Sequence, residues 1–160
     1  MILIINLYYL CVTKTIKVMN NYEKSNNIIA VEYSRFSTKE YNDLLLDKTD
    51  RAKTGQILLN YLCDKYKISR IPLIVSNSNR KYNKYGQTYG LYSFANGKGI
   101  KIVIYNKTAK TGQIIAIKAF INTLLHEFIH HYDTEYLKIQ SIHTAGFYKR
   151  ITDLQTKLTK

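Results

Sequence analysis

The chain has 160 residues, with 24 Lys and Arg against 11 Asp and Glu, a net charge of +13, and 46% hydrophobic residues. That length suits one domain with a core of its own, and the balance of apolar and charged residues excludes global disorder. Two distant cysteines, Cys11 and Cys63, exclude a disulfide framework and a cysteine zinc ribbon, and fit a reducing, intracellular compartment, cytoplasmic or nucleoid-associated.

Residues 1–36 read as an N-terminal extension to a domain at 37–160. The extension opens on MILIINLYYLCV, too short an apolar run for the roughly 20 residues a bilayer needs. It lacks a basic start and a small-residue cleavage site, so an initial β-strand and no membrane partner are expected. A polar break, NNYEKSNN, precedes a second strand-like run, IIAVEY at 28–33. Ser37 and Glu40 have capping-box spacing and start a helix carrying Tyr41, Leu44 and Leu45. A longer helix follows from about Asp50 to Tyr66, with Leu58, Tyr61 and Leu62 on its buried stripe, and IPLIV at 71–75 reads as a strand.

From Lys65 to Leu125 there is no carboxylate, against eleven Lys or Arg. Within this stretch, NRKYNKYGQTYGLYSF interleaves cations with Tyr82, Tyr85, Tyr89, Tyr92 and Phe94. Cations beside stackable rings suit DNA or another polyanion, which makes the basic 65–118 region a candidate contact surface. The plainer alternative is a solvated basic face with tyrosines packed on a pleated sheet.

YGLYSF (89–94) and IKIVIY (100–105) flank the turn ANGKG, a hairpin signal, with Ile100, Ile102 and Ile104 on one face. A helix is expected from about Thr108 to Asp133, burying Ile114, Ile117, Ile121, Leu124, Leu125 and Phe128. A last amphipathic helix, about 144–158, carries Phe147, Ile151, Leu154 and Leu158. The hexapeptide AKTGQI occurs at 52–57 and again at 109–114, each time near an expected helix start. The flanking segments do not align, and the glycine spacing is not that of a P-loop. Short strands and helices in this order make an α+β fold.

All four histidines lie between 126 and 143. His126-Glu127-Phe128-Ile129-His130 is H-E-x-x-H. On a helix, residues four apart project together, so His126 and His130 can share one metal, with Glu127 beside it to take a proton from water. A third ligand is needed to leave one open position for catalysis. His143 is the candidate, and Glu135 is an alternative only if the helix breaks before it. His131 points about 100° away from His130, which suits a surface or supporting role. Asp133 is placed to orient an imidazole. Tyr132, Tyr148 and Arg150 are nearby candidates to stabilise an oxyanion.

Taken together, LLHEFIHHYD and HTAGFYKRITDL resemble the SprT-like zinc metallopeptidases, whose mark is H-E-x-x-H, a short segment, then H-x-x-x-F opening the next helix. The resemblance covers about 50–160 and is specific over 124–154. It implies Zn2+ held by His126, His130 and His143, with Glu127 catalytic and Phe147 packed in the core. It also implies a small zincin-like α+β domain, in which a short β-sheet with a hairpin packs on helices and the active-site helix is followed by a C-terminal one. The family includes the Spartan proteases, which digest proteins crosslinked to DNA, so the implied substrate is a protein or peptide, including DNA-associated proteins. Bacterial SprT proteins carry a cysteine zinc ribbon after the core, and this chain has no cysteine after Cys63.

The activity expected is peptide hydrolysis by zinc-activated water with Glu127 as general base, on a substrate lying along a strand edge at 100–106. The rival expectation is a basic nucleic-acid-binding module with a structural or vestigial metal site, in which Glu127 is dispensable.

Overall fold

The computed structural model describes residues 20–32, 36–44, 50–79, 82–83 and 86–160. Its described residues form an α+β arrangement of five helices, a three-stranded mixed sheet and a small two-stranded ribbon. The strand expected at 1–12 lies outside the described residues.

Helix α1 (20–27) is followed by α2 (Thr38–Leu44) and α3 (Arg51–Tyr66). Both later helices start where a side chain satisfies an orphan amide. Ser37 Oγ accepts from Glu40 N–H at 3.2 Å, and Asp50 Oδ1 accepts from Lys53 N–H at 2.9 Å. Helix α3 ends on Lys67, in the left-handed region at φ 54°, whose N–H turns back to the last carbonyls.

The strand expected at 28–33 is not a strand over its described residues. Val31 is buried and its N–H donates to Asp153 Oδ2, while Glu32 N–H donates to the Tyr132 hydroxyl. Side chains of two helices satisfy this backbone, so the apolar run needs no sheet partner.

Strand β1 (Leu73–Asn79), the ribbon strands β2 (Tyr82–Asn83) and β3 (Gly86–Gln87), then β4 (Gly90–Ala95) and β5 (Lys98–Lys107) follow. The turn between β4 and β5 is Asn96-Gly97, with φ of 50° and 73°, the pair of left-handed residues that a tight hairpin demands. Sheet order is β1-β5-β4, with β1 parallel and β4 antiparallel to β5. Strand β5 is therefore paired on both sides, and the substrate edge expected at 100–106 is not an edge. Among the described residues, the free side of the hairpin belongs to β4.

Ile102 and Ile104 of β5 are fully buried against the helices, whereas Ile100 is half exposed. Helix α4, which carries H-E-x-x-H, spans Ile117–Glu135 and packs on β4, β5, α3 and α5. It starts nine residues later than expected from Thr108, because 108–116 forms a turn instead. There Gly112 sits at φ 63°, Thr108 N–H donates to Gln113 O, and Ile114 bridges to Lys107, leaving its side chain exposed rather than in the helical stripe. Helix α5 (Ala145–Thr159) is capped by Thr144, whose hydroxyl accepts from Phe147 N–H.

The core is built from Leu58, Leu59 and Leu62 of α3, Phe120, Leu124 and Phe128 of α4, and Phe147, Leu154 and Leu158 of α5, all fully buried. At roughly 1.5–3 kcal/mol for each such side chain, this packing fixes α4 and α5 against one another. No helix among the described residues is long and apolar enough to cross a membrane.

Candidate metal centre

Helix α4 presents His126 and His130 one turn apart, and the loop between α4 and α5 returns His143 to the same point. The Nε2 of His143 lies 3.0 Å from that of His126 and 2.9 Å from that of His130. The three ligand nitrogens are close enough to share one metal ion, and no fourth His, Cys, Asp or Glu joins their group among the described residues. Beneath them lies the buried Phe147 ring, with its centroid 5.0, 4.6 and 4.9 Å from those of His126, His130 and His143. It packs in the core as expected and is also the apolar floor of the cluster.

The tautomer of His130 follows from its neighbours. Arg150 Nη2 donates to Asp133 Oδ2 at 2.7 Å, an ion pair with both side chains buried, so Asp133 is a carboxylate. Ser141 Oγ donates its one proton to that same oxygen at 2.9 Å. The 2.8 Å contact between Ser141 Oγ and His130 Nδ1 is then a donation from the imidazole. The His130 Nε2 lone pair is left facing His143. Asp133 thus supports a ligand, as its spacing implied, but through Ser141. Nothing in the sequence marks Ser141 apart from its lying two residues before His143.

The remaining candidates separate cleanly. His131 is buried rather than on the surface, and its Nε2 donates to Ser69 O at 2.7 Å, which ties α4 to the turn before β1. Helix α4 continues through Glu135, whose carboxylate accepts from Gly99 N–H and Ser69 Oγ, so it is not the third ligand. Tyr132 is buried with its hydroxyl on Glu32 N–H, and the Arg150 guanidinium is enclosed by Asp133, Ser25 and Ile28. Neither reaches the open side of the cluster. Tyr148, half exposed, stacks on His143 at 5.9 Å between centroids.

An open cleft of about 1000 Å³ lies over the histidines, walled by β4, α4 and the 138–143 loop. Glu127 faces into it from α4 and is almost fully buried. Its carboxylate accepts from the backbone N–H of Tyr92. Gly90 leaves the room: a Cβ there would stand 2.6 Å from Glu127 Oε1 and 2.9 Å from Thr123 Cγ2. In the antiparallel ladder, Tyr105 N–H donates to Tyr89 O, so Tyr89 and Leu91 direct their backbone groups to β5. Gly90 and Tyr92 then direct theirs outward over the cleft. Three rings read from the sequence as possible stacking surfaces, Tyr89, Tyr92 and Phe94, line this same cleft. The Tyr92 ring lies parallel to His130, at 6.1 Å.

Burial sets the protonation of the site. It lowers His126 to about 4, with His143 adding to the effect, and lowers His130 to about 3, with His126, His143 and Arg150 contributing. His143 is lowered as well. These imidazoles are neutral at pH 7, as ligands must be. Burial raises Glu127 from its ordinary 4.5 to about 7, against the pull of the Tyr92 N–H.

For the chelated protein these shifts oppose one another. Below 6.5 the unfolded chain protonates two imidazoles that the fold keeps neutral, so their contribution is whole above 6.5 and is lost as pH falls toward about 4 and about 3. Glu127 contributes below 4.5, and its contribution is lost as pH rises to about 7. Two imidazoles outweigh one carboxyl between these limits. The thermal midpoint in the presence of chelator is therefore expected to fall from pH 6.5 to about pH 5. A rising midpoint over that interval would contradict the buried, neutral histidines.

Comparison with protein-family models, with curated proteins and with solved structures gives no match.

Proposed function

We propose that the chain is a zinc-dependent metallopeptidase, with His126, His130 and His143 holding the metal and Glu127 serving as general base. The observation that carries this reading is the convergence of three Nε2 atoms with a base-competent carboxylate in one open cleft. Ligands on a tetrahedral zinc, each about 2.0–2.1 Å from the ion, lie about 3.3 Å from one another. The observed nitrogen separations of 2.9 and 3.0 Å are close to that value. Neutral imidazoles suit zinc, and three of them leave a position open to the cleft, as a catalytic rather than a structural site requires.

A zinc ion there supplies Lewis acidity, which makes water nucleophilic near neutral pH and polarises a carbonyl. The protein's own groups do the rest. Glu127, poised near pH 7 by burial, takes the proton from the attacking water and passes it to the leaving amine. The outward-facing backbone of β4 takes an extended peptide by strand addition, and the apolar surfaces of Leu91 and Phe94 receive its side chains. Tyr148, stacked on His143, is the one of the three oxyanion candidates that lies beside the cluster. Peptide substrates associated with DNA are favoured by the net charge of +13 and the carboxylate-free stretch from Lys65 to Leu125, which attract a polyanion without selecting its sequence.

The test is metal content and proteolysis on one preparation. Wild type is expected to hold close to one zinc per chain and to cleave an unfolded protein substrate. His143→Ala is expected to lose proteolysis and to bind zinc much more weakly, through His126 and His130 alone. A wild type that takes up no zinc on reconstitution would end the metal reading, and zinc retained in full by His143→Ala would remove the third ligand.

A further inference from the structure

The loop that delivers His143 has little structure of its own. Between the end of α4 and Thr144 it carries no regular element, and Lys138 adopts a left-handed φ of 54°. Besides the bonds of Ser141 to Asp133 and His130, what holds its ligand-bearing half is α1, more than a hundred residues earlier in the chain.

Asn21 grips the backbone at Gln140 from both sides: its Nδ2 donates to Gln140 O at 3.1 Å, and its Oδ1 accepts from Gln140 N–H at 2.9 Å. Ser25 sits one turn further on and faces the other end of the loop. Thr144 Oγ1 already accepts from Phe147 N–H, so its proton is available to Ser25 Oγ, 3.2 Å away. Ser25 Oγ in turn donates to Ile142 O at 3.4 Å. These contacts bracket His143 on both sides, at 140, 142 and 144.

Helix α1 is itself seated. Arg150 Nη1 donates to Ser25 O at 2.7 Å and also to Ile28 O, while its Nη2 reaches the Asp133 carboxylate that orients His130 through Ser141. Gly146, at the start of α5, lies directly against the carbonyls of Ser25 and Asn26, where a Cβ would collide with backbone. One guanidinium thus links the segment that braces His143 to the chain of hydrogen bonds that orients His130.

We propose that α1 is a clamp on the ligand loop, with Asn21 and Ser25 as positioning residues that hold His143 within reach of the metal bound by His126 and His130. This rests on the metal-centre reading above. Without the clamp the loop samples other conformations, and only the fraction that presents His143 binds metal with three ligands, so apparent affinity falls by that fraction.

The experiment is Zn2+ affinity of the full chain, by competition with a chromogenic chelator, for wild type, Asn21→Ala, His143→Ala and the double variant, beside far-UV circular dichroism and thermal midpoints. Asn21 is partly exposed, so its truncation leaves the core intact, and Ser25→Ala serves as a second probe. Asn21→Ala is expected to weaken Zn2+ binding about tenfold, within the range seen when a ligand loses its support. In the His143→Ala background the same change is expected to have no effect, because no third ligand remains to be held. Wild-type affinity in both Asn21→Ala and Ser25→Ala would overturn the clamp while leaving the metal centre intact. An equal loss in the His143→Ala background would also overturn it, by showing general destabilisation. A wild type that binds no Zn2+ would remove the metal centre, and the clamp with it.

Discussion

Glu127→Gln is expected to lower peptide hydrolysis by about 10²–10⁴-fold, with zinc content unchanged. The amide matches the carboxylate in shape and keeps an oxygen for the Tyr92 N–H that the native side chain accepts. It cannot take a proton from water. A structural change is therefore small and a chemical one large. Metal analysis and cleavage of a fluorogenic protein substrate, on the same preparations, separate the two. Activity within a fewfold of wild type would show that Glu127 is not the base, and would favour the nucleic-acid-binding alternative. That alternative makes the complementary demand that neutralising the basic 79–94 segment, and not Glu127, impairs function.

The second large effect concerns stability. Arg150→Ala is expected to cost about 3–5 kcal/mol, because it strands the buried Asp133 carboxylate. Both side chains of this pair are fully buried at 2.7 Å, and the guanidinium also covers the carbonyls of Ser25 and Ile28. Burial already raises the Asp133 pKa, with Arg150 and Ser141 pulling it back. Without Arg150 the main pull against burial is lost, the Asp133 pKa rises further, and its hold on Ser141 and His130 weakens. Urea unfolding of the variant gives the stability, and chelator competition gives the metal affinity. Arg150→Ala paired with Asp133→Leu, which removes both charges, is expected to be milder than the single change. A single change costing less than about 1 kcal/mol would mean that the pair is not desolvated in solution.

The parts of the fold and site that could be read from sequence are those with local causes. The Ser37 cap and the Asn96-Gly97 turn each act within four residues and appear where expected, although the Ser37 N–H donates to the Tyr61 hydroxyl rather than to Glu40, so only half of the capping box forms. Asp50, the expected start of the longer helix, caps it. H-E-x-x-H is legible for the same reason, since helix periodicity alone aligns His126 with His130.

Where partners come from far away, the local pattern misleads. AKTGQI is helical at 52–57, where Gly55 lies against Leu73 and Phe120, yet forms a turn at 109–114, where Gly112 takes a positive φ. One hexapeptide has two structures because the surrounding packing differs. IIAVEY has strand composition, but over 28–32 it docks on α4 and α5, whose side chains satisfy its amides. The 1–36 extension similarly contains, at 20–32, the segment bound to Arg150 and the ligand loop. Ser141 and Asn21 are ordinary polar residues in the sequence: the role of Ser141 exists only once its loop folds back on Asp133 and His130 of α4, and that of Asn21 only once it meets Gln140, more than a hundred positions away.

The bond between Glu127 and the amide of Tyr92 has a further consequence. It lowers the proton affinity of the carboxylate, and its donor belongs to the strand along which a peptide would lie. The carbonyl of that same peptide group, on Leu91, turns to β5, so the outward-facing groups of this stretch besides the Tyr92 N–H are the N–H and carbonyl of Gly90 and the carbonyl of Tyr92. With one outward donor already serving Glu127, a peptide laid along β4 would meet one remaining donor and two acceptors, and would be recognised chiefly through its own N–H groups.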